Sequence, residues 1–377
     1  MVNIDQVKIK KKLGAGIYGT TYLATYNDKE YALKIQHILH TDSKKDYNNE
    51  MWREISLYNY INKMNKKNQI FFTKMYDYKI YNNCTHIQDT KIDKDHPAYK
   101  KIMKLNNSPW CLKYLIEYKG KTTLNDFLES NKMTSKIALS FCLQIAKIIL
   151  LLDKGGYSHN DLHPGNIMVN KTTMKYFSFN GKKIPTYGYL LSAIDYGEVL
   201  NKKFGIKYKG YNNLFLKDRK KWLFYEYFLS IFFILKNEAL LIKDCNNQKK
   251  KLPWEYKEDT WDGMVKKIII KHNDFFNKMK EKYLPLFPTC DKLLDYVIKT
   301  IKTKTILENI IGKKGEHDFL PFIRRIIFEF RIAYPDKFKK YLKWCSIRPF
   351  LLSNDNIKDL MLTNNFDDLI NKIYSLL

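Results

Sequence analysis

Three glycines, spaced as Gly14-Ala-Gly16-Ile-Tyr-Gly19, constrain this chain more than any other stretch because of what flanks them. The run VKIKKKLGAGIYGTTYLATYNDKEYALKIQ reads as strand, glycine turn, strand, Asn-Asp turn, strand. A dinucleotide-binding fingerprint has the same glycine spacing, but it lies between a strand and a helix. Glycine has no Cβ, so its backbone can approach a phosphate closely. An ordinary glycine hairpin is the plain alternative, and the loop alone does not separate the two.

The pattern then changes period. Over residues 44–64, Met51, Ile55, Tyr58 and Ile61 fall on one helical face. Two more strands are expected near Phe71–Ile80 and Leu112–Tyr118, separated by a polar, irregular stretch at 82–109 that reads as a surface insertion. After Gly120 the chain reads as a short helix at Leu124–Leu128 and a long buried one at Ser135–Leu152. A polar turn, GGYSHNDLHPGN, leads into the short strand IMV. A second insertion follows at 171–193 with its own hairpin-like turn, FSFNGKKIP. From Arg219 onward, apolar residues recur mostly at helical spacing.

Length bears on organisation. A chain of 377 residues exceeds the roughly 250–300 that one core supports, so two lobes are expected. Hydrophobic content of 45% excludes general disorder. The net charge of +27 allows an acidic partner, nucleic acid or an anionic surface, but 60 of the 66 basic residues are Lys. With Asn, Ile and Tyr also abundant, compositional bias is the simpler cause. The six cysteines (84, 111, 142, 245, 290 and 345) form no C-x-x-C pair and read as neither a disulfide framework nor a zinc site, which fits a reducing, intracellular compartment. The apolar runs Leu223–Leu235 and Ile148–Leu152 fall short of the roughly 20 residues of a membrane span.

Ala32-Leu33-Lys34 ends the third strand, and Glu54 follows twenty residues later on the helix. A lysine that grips phosphates needs an anionic orienter, because its long side chain otherwise wanders. The segment HNDLHPGN places His159, Asp161 and Asn166 in the pattern H-x-D-x-x-x-x-N, and Asp195-Tyr196-Gly197 follows. Glycine loop, lysine, helix glutamate, H-x-D-x-x-x-x-N and D-Y-G, in this order over about residues 9–235, resemble the protein kinase superfamily.

That resemblance implies an α+β, two-lobed protein-kinase-like fold. Residues 1–118 would form a small lobe with an antiparallel sheet and one helix. Residues 119–377 would form a larger, mostly helical lobe, with the insertion at about 171–193 and a divergent helical part from about 250. It implies ATP and Mg²⁺ as cofactors. Asp161 would accept the proton of the attacking hydroxyl, and Asn166 and Asp195 would hold the metal. Lys34, braced by Glu54, would hold phosphates under Gly14, Gly16 and Gly19. Leu13, Ala32 and Met168 would sandwich adenine, with Ile116 as gatekeeper and the backbone of Glu117 and Lys119 on the ring edge. His163 stands where protein kinases usually have Lys and could donate to phosphate.

Departures from the pattern bear on substrate. Asn160 replaces the usual Arg, so control by activation-loop phosphorylation is not expected. DLHPGN is also similar to aminoglycoside and choline kinases. No A-P-E motif follows Asp195, and Asp218, a candidate brace for the catalytic loop, lies only 23 residues on. The long insertion and the aromatic helix KKWLFYEYFLSIFFIL resemble divergent kinases of large DNA viruses, of mimivirus and poxvirus type. The resemblance thus implies a Ser/Thr protein kinase acting on a protein, with acidic proteins as candidate partners. It further implies a monomer with no membrane span and no specific nucleic acid, in the cytoplasm of a host cell or in a virion. A small-molecule kinase and a pseudokinase scaffold stay open as alternatives. The stripe Trp222, Tyr225, Phe228 and Phe232 reads as core, and His37, His40, His96, His272 and His317 show no ligand spacing.

Overall fold

The computed structural model describes residues 2–16, 19–84, 99–130, 132–205, 219–235, 359–360, 363 and 365–377. The chain is mixed α/β and divides into two compact units. The first comprises Met1–Leu124, Leu150–Lys171 and Leu190–Ile206; the second comprises Asn125–Ile149, Thr172–Tyr189 and Lys207–Leu377.

The first unit is built on a five-stranded antiparallel sheet of β1 (Lys8–Gly16), β2 (Gly19–Tyr26), β3 (Lys29–His37), β4 (Met75–Tyr81) and β5 (Cys111–Glu117). Their order is β1-β2-β3-β5-β4. The expected Asn-Asp turn joins β2 to β3 with both residues left-handed, Asn27 at φ 47° and Asp28 at φ 59°. Such two-residue loops match the right-handed twist of the flanking strands. One sheet face packs Ala24, Tyr31, Leu33, Ile35 and Leu115 around Ile4. Side chains alternate along a strand. The other face therefore carries Thr21, Leu23, Ala32, Lys34, Tyr114 and Ile116, which the cross-strand register sets side by side.

Helix α1 (Glu50–Asn62) starts later than residue 44 because the Asn49 side chain caps it, accepting the Met51 N–H at 3.0 Å. Its expected face is buried: Met51, Ile55, Tyr58 and Ile61 are each at most 3% exposed. A short helix, α2 (Lys66–Gln69), precedes β4. Phe71 and Phe72, expected in that strand, are fully buried ahead of it, and Phe72 makes a parallel bridge to Ala193. Two expectations need correction. Part of the stretch 82–109 is helical, as α3 (Tyr99–Asn106), with Ile102 buried. Cys84 and Cys111 also form a disulfide, their Cα atoms 5.7 Å apart. The bond staples the segment just after β4 to the start of β5, a pairing hidden in sequence by a separation of 27 residues.

Helices α4 (Leu124–Glu129) and α5 (Ser135–Lys154) follow, as expected. Helix α5 is long and apolar enough, by length and composition, to cross a membrane, a feature the sequence reading had not credited. Of its most apolar window, 72% is buried within the protein. The chain then forms β6 (Tyr157–Ser158), β7 (Ile167–Lys171), β8 (Tyr176–Phe179), β9 (Lys182–Pro185), β10 (Tyr189–Ala193) and β11 (Leu200–Asn201). Strand β6 pairs with β11, β7 with β10 and β8 with β9. The expected insertion at 171–193 is thus a β8–β9 hairpin turned at Asn180-Gly181, both left-handed, and its last residues return as a paired strand.

In the second unit, the Phe127, Phe141 and Tyr189 rings cluster. Ser140 donates to the Pro185 carbonyl at 2.6 Å, and Tyr227 to the Cys142 carbonyl at 2.9 Å. The helices Arg219–Leu235 and Phe366–Leu376 meet through Tyr227 and Phe366, ring centres 4.8 Å apart. Trp222 and Phe228 are buried, as a core stripe requires. The side chains of Tyr225 and Phe232, together with Asp218, His96, His272, His317 and most of the stretch 253–377, lie outside the described residues.

Candidate active site

Every polar residue singled out in the sequence for chemistry lies in the first unit. Strand β3 presents Lys34 on the sheet face opposite the Ile4 core, and α1 presents Glu54 to it. The Lys34 Nζ lies 3.1 Å from both Oε1 and Oε2 of Glu54 and 3.5 Å from Oδ1 of Asp195. Burial of the ammonium favours its neutral form, but the two carboxylates outweigh this and raise its pKa. Glu54, 2% exposed, is pulled upward by burial, with the Lys34 charge opposing. Lys34 is also the main cause holding the Asp195 carboxyl below its ordinary value.

The second cluster is the turn after β6. The Asn166 Nδ2 donates to the Asp161 carbonyl and to Asp161 Oδ2, both at 3.0 Å. His163 caps the 3-10 turn Pro164–Asn166, its Nδ1 accepting the Gly165 N–H at 3.0 Å. With Nδ1 an acceptor, a neutral ring carries its proton on Nε2, which lies 3.6 Å from Asp161 Oδ2. His163 therefore faces the Asp161 carboxylate.

Two left-handed non-glycine residues shape these turns, Asn160 at φ 65° and Asp195 at φ 58°. Asn and Asp tolerate this region better than most residues. The two clusters are tied together by backbone. The Ile194 N–H donates to the Asn166 carbonyl at 3.0 Å, and the Ile194 carbonyl accepts from His159 Nε2 at 2.9 Å. His159 is fully buried, which pushes its pKa down and keeps the ring neutral.

Of the ring-binding candidates, Ala32 and Ile116 are direct cross-strand partners. Met168 is buried and bridges to Thr123, and Leu13 is exposed. Glu117 commits its N–H to the Lys74 carbonyl at 2.8 Å, and its carboxylate pairs with Lys119 at 3.1 Å. The glycines differ. A Cβ on Gly19 would sit 2.6 Å from the Ile35 carbonyl oxygen, so close strand packing alone requires glycine there. A Cβ on Gly14 would meet nothing within 4 Å. Gly16 pairs with Gly19 at the mouth of the β1–β2 turn.

Four residues that position the site had no such role assigned from sequence: Tyr58, Thr73, His159 and Tyr196. The Tyr58, Tyr196 and His159 rings contact in series, with centroids 5.0 and 5.5 Å apart, and link α1 to both turns. The buried Tyr196 hydroxyl donates to the Ala193 carbonyl at 2.7 Å and accepts the Thr73 N–H at 3.1 Å. Tyr196 and His159 lay inside the motifs and could have been flagged. Thr73 carries no sequence signal.

Among the described residues no group of three His, Cys, Asp or Glu could hold a metal by itself. Asn166 and Asp195 still suit a hard cation. With Asn166 Nδ2 engaged, its Oδ1 is the acceptor left, and Asp195 offers an exposed carboxylate. Mg²⁺ commonly takes one or two protein oxygens and completes its shell with water and phosphate.

No protein-family profile matches the chain. It is similar to the uncharacterized protein ZK177.2 of Caenorhabditis elegans, at 28% identity over 202 residues, covering 51% of this chain and 59% of that protein. The match thus spans about three fifths of that relative's length. Among solved structures, a crystal structure of a kinase domain, PF14_0431, overlaps at a TM-score of 0.35 and 19% identity, covering 56% of this chain and 55% of that one.

Proposed function

We propose that this chain is an ATP- and Mg²⁺-dependent phosphotransferase, a Ser/Thr protein kinase that moves the γ-phosphoryl group to a protein hydroxyl. The observation that carries the reading is the placement of Lys34 between Glu54 and Asp195. A buried glutamate fixes the ammonium from one side. The long 3.5 Å contact to an exposed Asp195 is one that a phosphate oxygen can replace. Phosphoryl transfer asks chiefly for positioning and charge stabilisation. Asp161 would orient the hydroxyl and take its proton, with Asn166 holding one carboxylate oxygen in place and His163 facing it. Mg²⁺ held by Asn166 and Asp195 would supply charge neutralisation at the phosphates. Gly14, which no neighbour obliges to be glycine, fits a backbone that passes close to them.

A small-molecule kinase is the second reading, favoured by DLHPGN and by a His163 ring committed within its own turn. The purified chain, incubated with γ-labelled ATP, Mg²⁺ and acidic and basic protein substrates, separates the two. Label reaching protein, abolished by both Asp161→Asn and Lys34→Met, supports the proposal. Label reaching only small hydroxyl compounds favours the second reading. ATP binding with no transfer to any acceptor would reduce the site to a binding scaffold.

A further inference from the structure

A cavity of about 290 Å³ lies against α1 on the side away from Glu54. At 3.6 residues per turn, Trp52, Ser56, Asn59 and Lys63 share one helix side, and Glu54 points nearly opposite. The cavity is therefore separate from the candidate active site, although it lies in the same compact unit.

Its walls are aromatic rings held in place. Trp52 and Tyr60 come from α1, Tyr78 from β4 and Tyr157 from β6. The indole Nε1 of Trp52 donates to the Asp42 carbonyl at 2.9 Å, and the Tyr60 hydroxyl to the Leu151 carbonyl at 2.8 Å. The hydroxyls of Ser56 and Tyr157 lie 2.9 Å apart. Anchored rings of this kind make a preformed pocket, which lowers the ordering cost of binding.

Three lysines, Lys45, Lys63 and Lys203, stand exposed at its edge. Among the described residues none of the three has a carboxylate within ion-pair distance. Two already lie against wall rings: Lys203 Nζ is 4.5 Å from the Tyr157 centroid, and Lys45 Nζ is 5.3 Å from that of Tyr47. Aromatic walls and exposed ammoniums in one lining define a ligand with a flat ring at one end and negative charge at the other. The volume sits near the lower end of the roughly 300–1,000 Å³ of small-molecule sites, enough for one small ring system. We propose that this cavity is a binding site for a small aromatic anion, distinct from the nucleotide site and independent of the phosphotransferase reading.

Phenyl phosphate is the probe, and the indole N–H signal of Trp52 is the reporter. The signal is assigned by its loss in Trp52→Phe of the ¹⁵N-labelled full chain. A saturable shift in the millimolar range is expected, with inorganic phosphate and benzyl alcohol each binding about tenfold more weakly because each satisfies half the site. Lys63→Glu with Lys203→Glu should weaken phenyl phosphate about tenfold. Asn59→Phe, at an exposed position on the same side, should block it. Lys34→Met should leave the shift unchanged. Should the charge-reversed chain fail to fold, salt supplies the same test. Raising NaCl from about 0.05 to about 0.5 M should weaken phenyl phosphate and spare benzyl alcohol. Absence of a saturable Trp52 shift overturns the proposal. So does loss of the shift in Lys34→Met, or benzyl alcohol binding as tightly as phenyl phosphate.

Discussion

Replacing Glu54 by Gln tests the centre of the candidate site with almost no change of shape. The carboxylate is buried and takes the Lys34 ammonium through two contacts of 3.1 Å. At an effective dielectric of about 20, one such contact corresponds to ~5 kcal/mol of direct attraction. Desolvation offsets much of that, and removing one partner of a buried pair typically costs ~3–5 kcal/mol. The amide of Gln can still accept from Lys34, so ~2–3 kcal/mol is the expected loss. For a unit of this size that corresponds to about 4–12 °C in the thermal midpoint. The ammonium would then keep one charged partner, Asp195 at 3.5 Å, and a weaker amide contact, leaving Lys34 less well positioned for phosphate. Phosphoryl transfer should fall by more than about tenfold, and calorimetry and labelled-ATP assays read the two effects side by side. A cycle with Lys34→Met isolates the pair, and a coupling above ~1 kcal/mol is expected. An unchanged midpoint, full transfer and additivity within ~0.5 kcal/mol would together refute the reasoning.

The two outer glycines should behave oppositely: Gly19→Ala forces a methyl toward the Ile35 carbonyl and should cost ~1–3 kcal/mol in denaturant melts, whereas Gly14→Ala should leave stability unchanged and raise the KM for ATP. Equal stability losses at the two positions would contradict this. Burial holds the folded His159 ring below its ordinary value, so the unfolded chain binds the proton first; stability should be complete above roughly pH 6.5 and fall as pH drops below it. His159→Gln should flatten that decline in thermal melts between about pH 7.5 and 5. Cys84→Ser should lower stability by roughly 3–4 kcal/mol, the loop-closure value for a sequence separation of 27, and peptide mapping without reductant should recover the Cys84–Cys111 pair.

How much was legible in the sequence differs between the ladder and the loops. Local signals carried the three-stranded start, because glycine and Asn-Asp turns fix hairpins over a few residues. They also carried α1, whose buried face follows the helical period, and α5. The start of α1 was misplaced because a capping Asn49 overrides periodicity. Lys34 and Glu54 were identified by order along the chain. The contacts between Tyr58, Tyr196, His159 and Thr73 were not legible, since they join positions far apart and each residue type is common in cores. The Cys84–Cys111 pairing and the α3 helix escaped for the same reason. Both depend on strand register and on burial of Ile102, neither of which leaves a local trace.

The β7–β10 pairing fixes more than a sheet edge. Asp195 lies 29 residues after Asn166, yet the strand pair and the Ile194–Asn166 hydrogen bond close that gap at its base. The two polar clusters are therefore joined by a clamp of backbone, and the length of chain between the two strands does not set their separation. Distance along the chain is a poor guide to distance in space at such a clamp, which is why the D-Y-G triplet can follow so late and still be tied to Asn166 through Ile194.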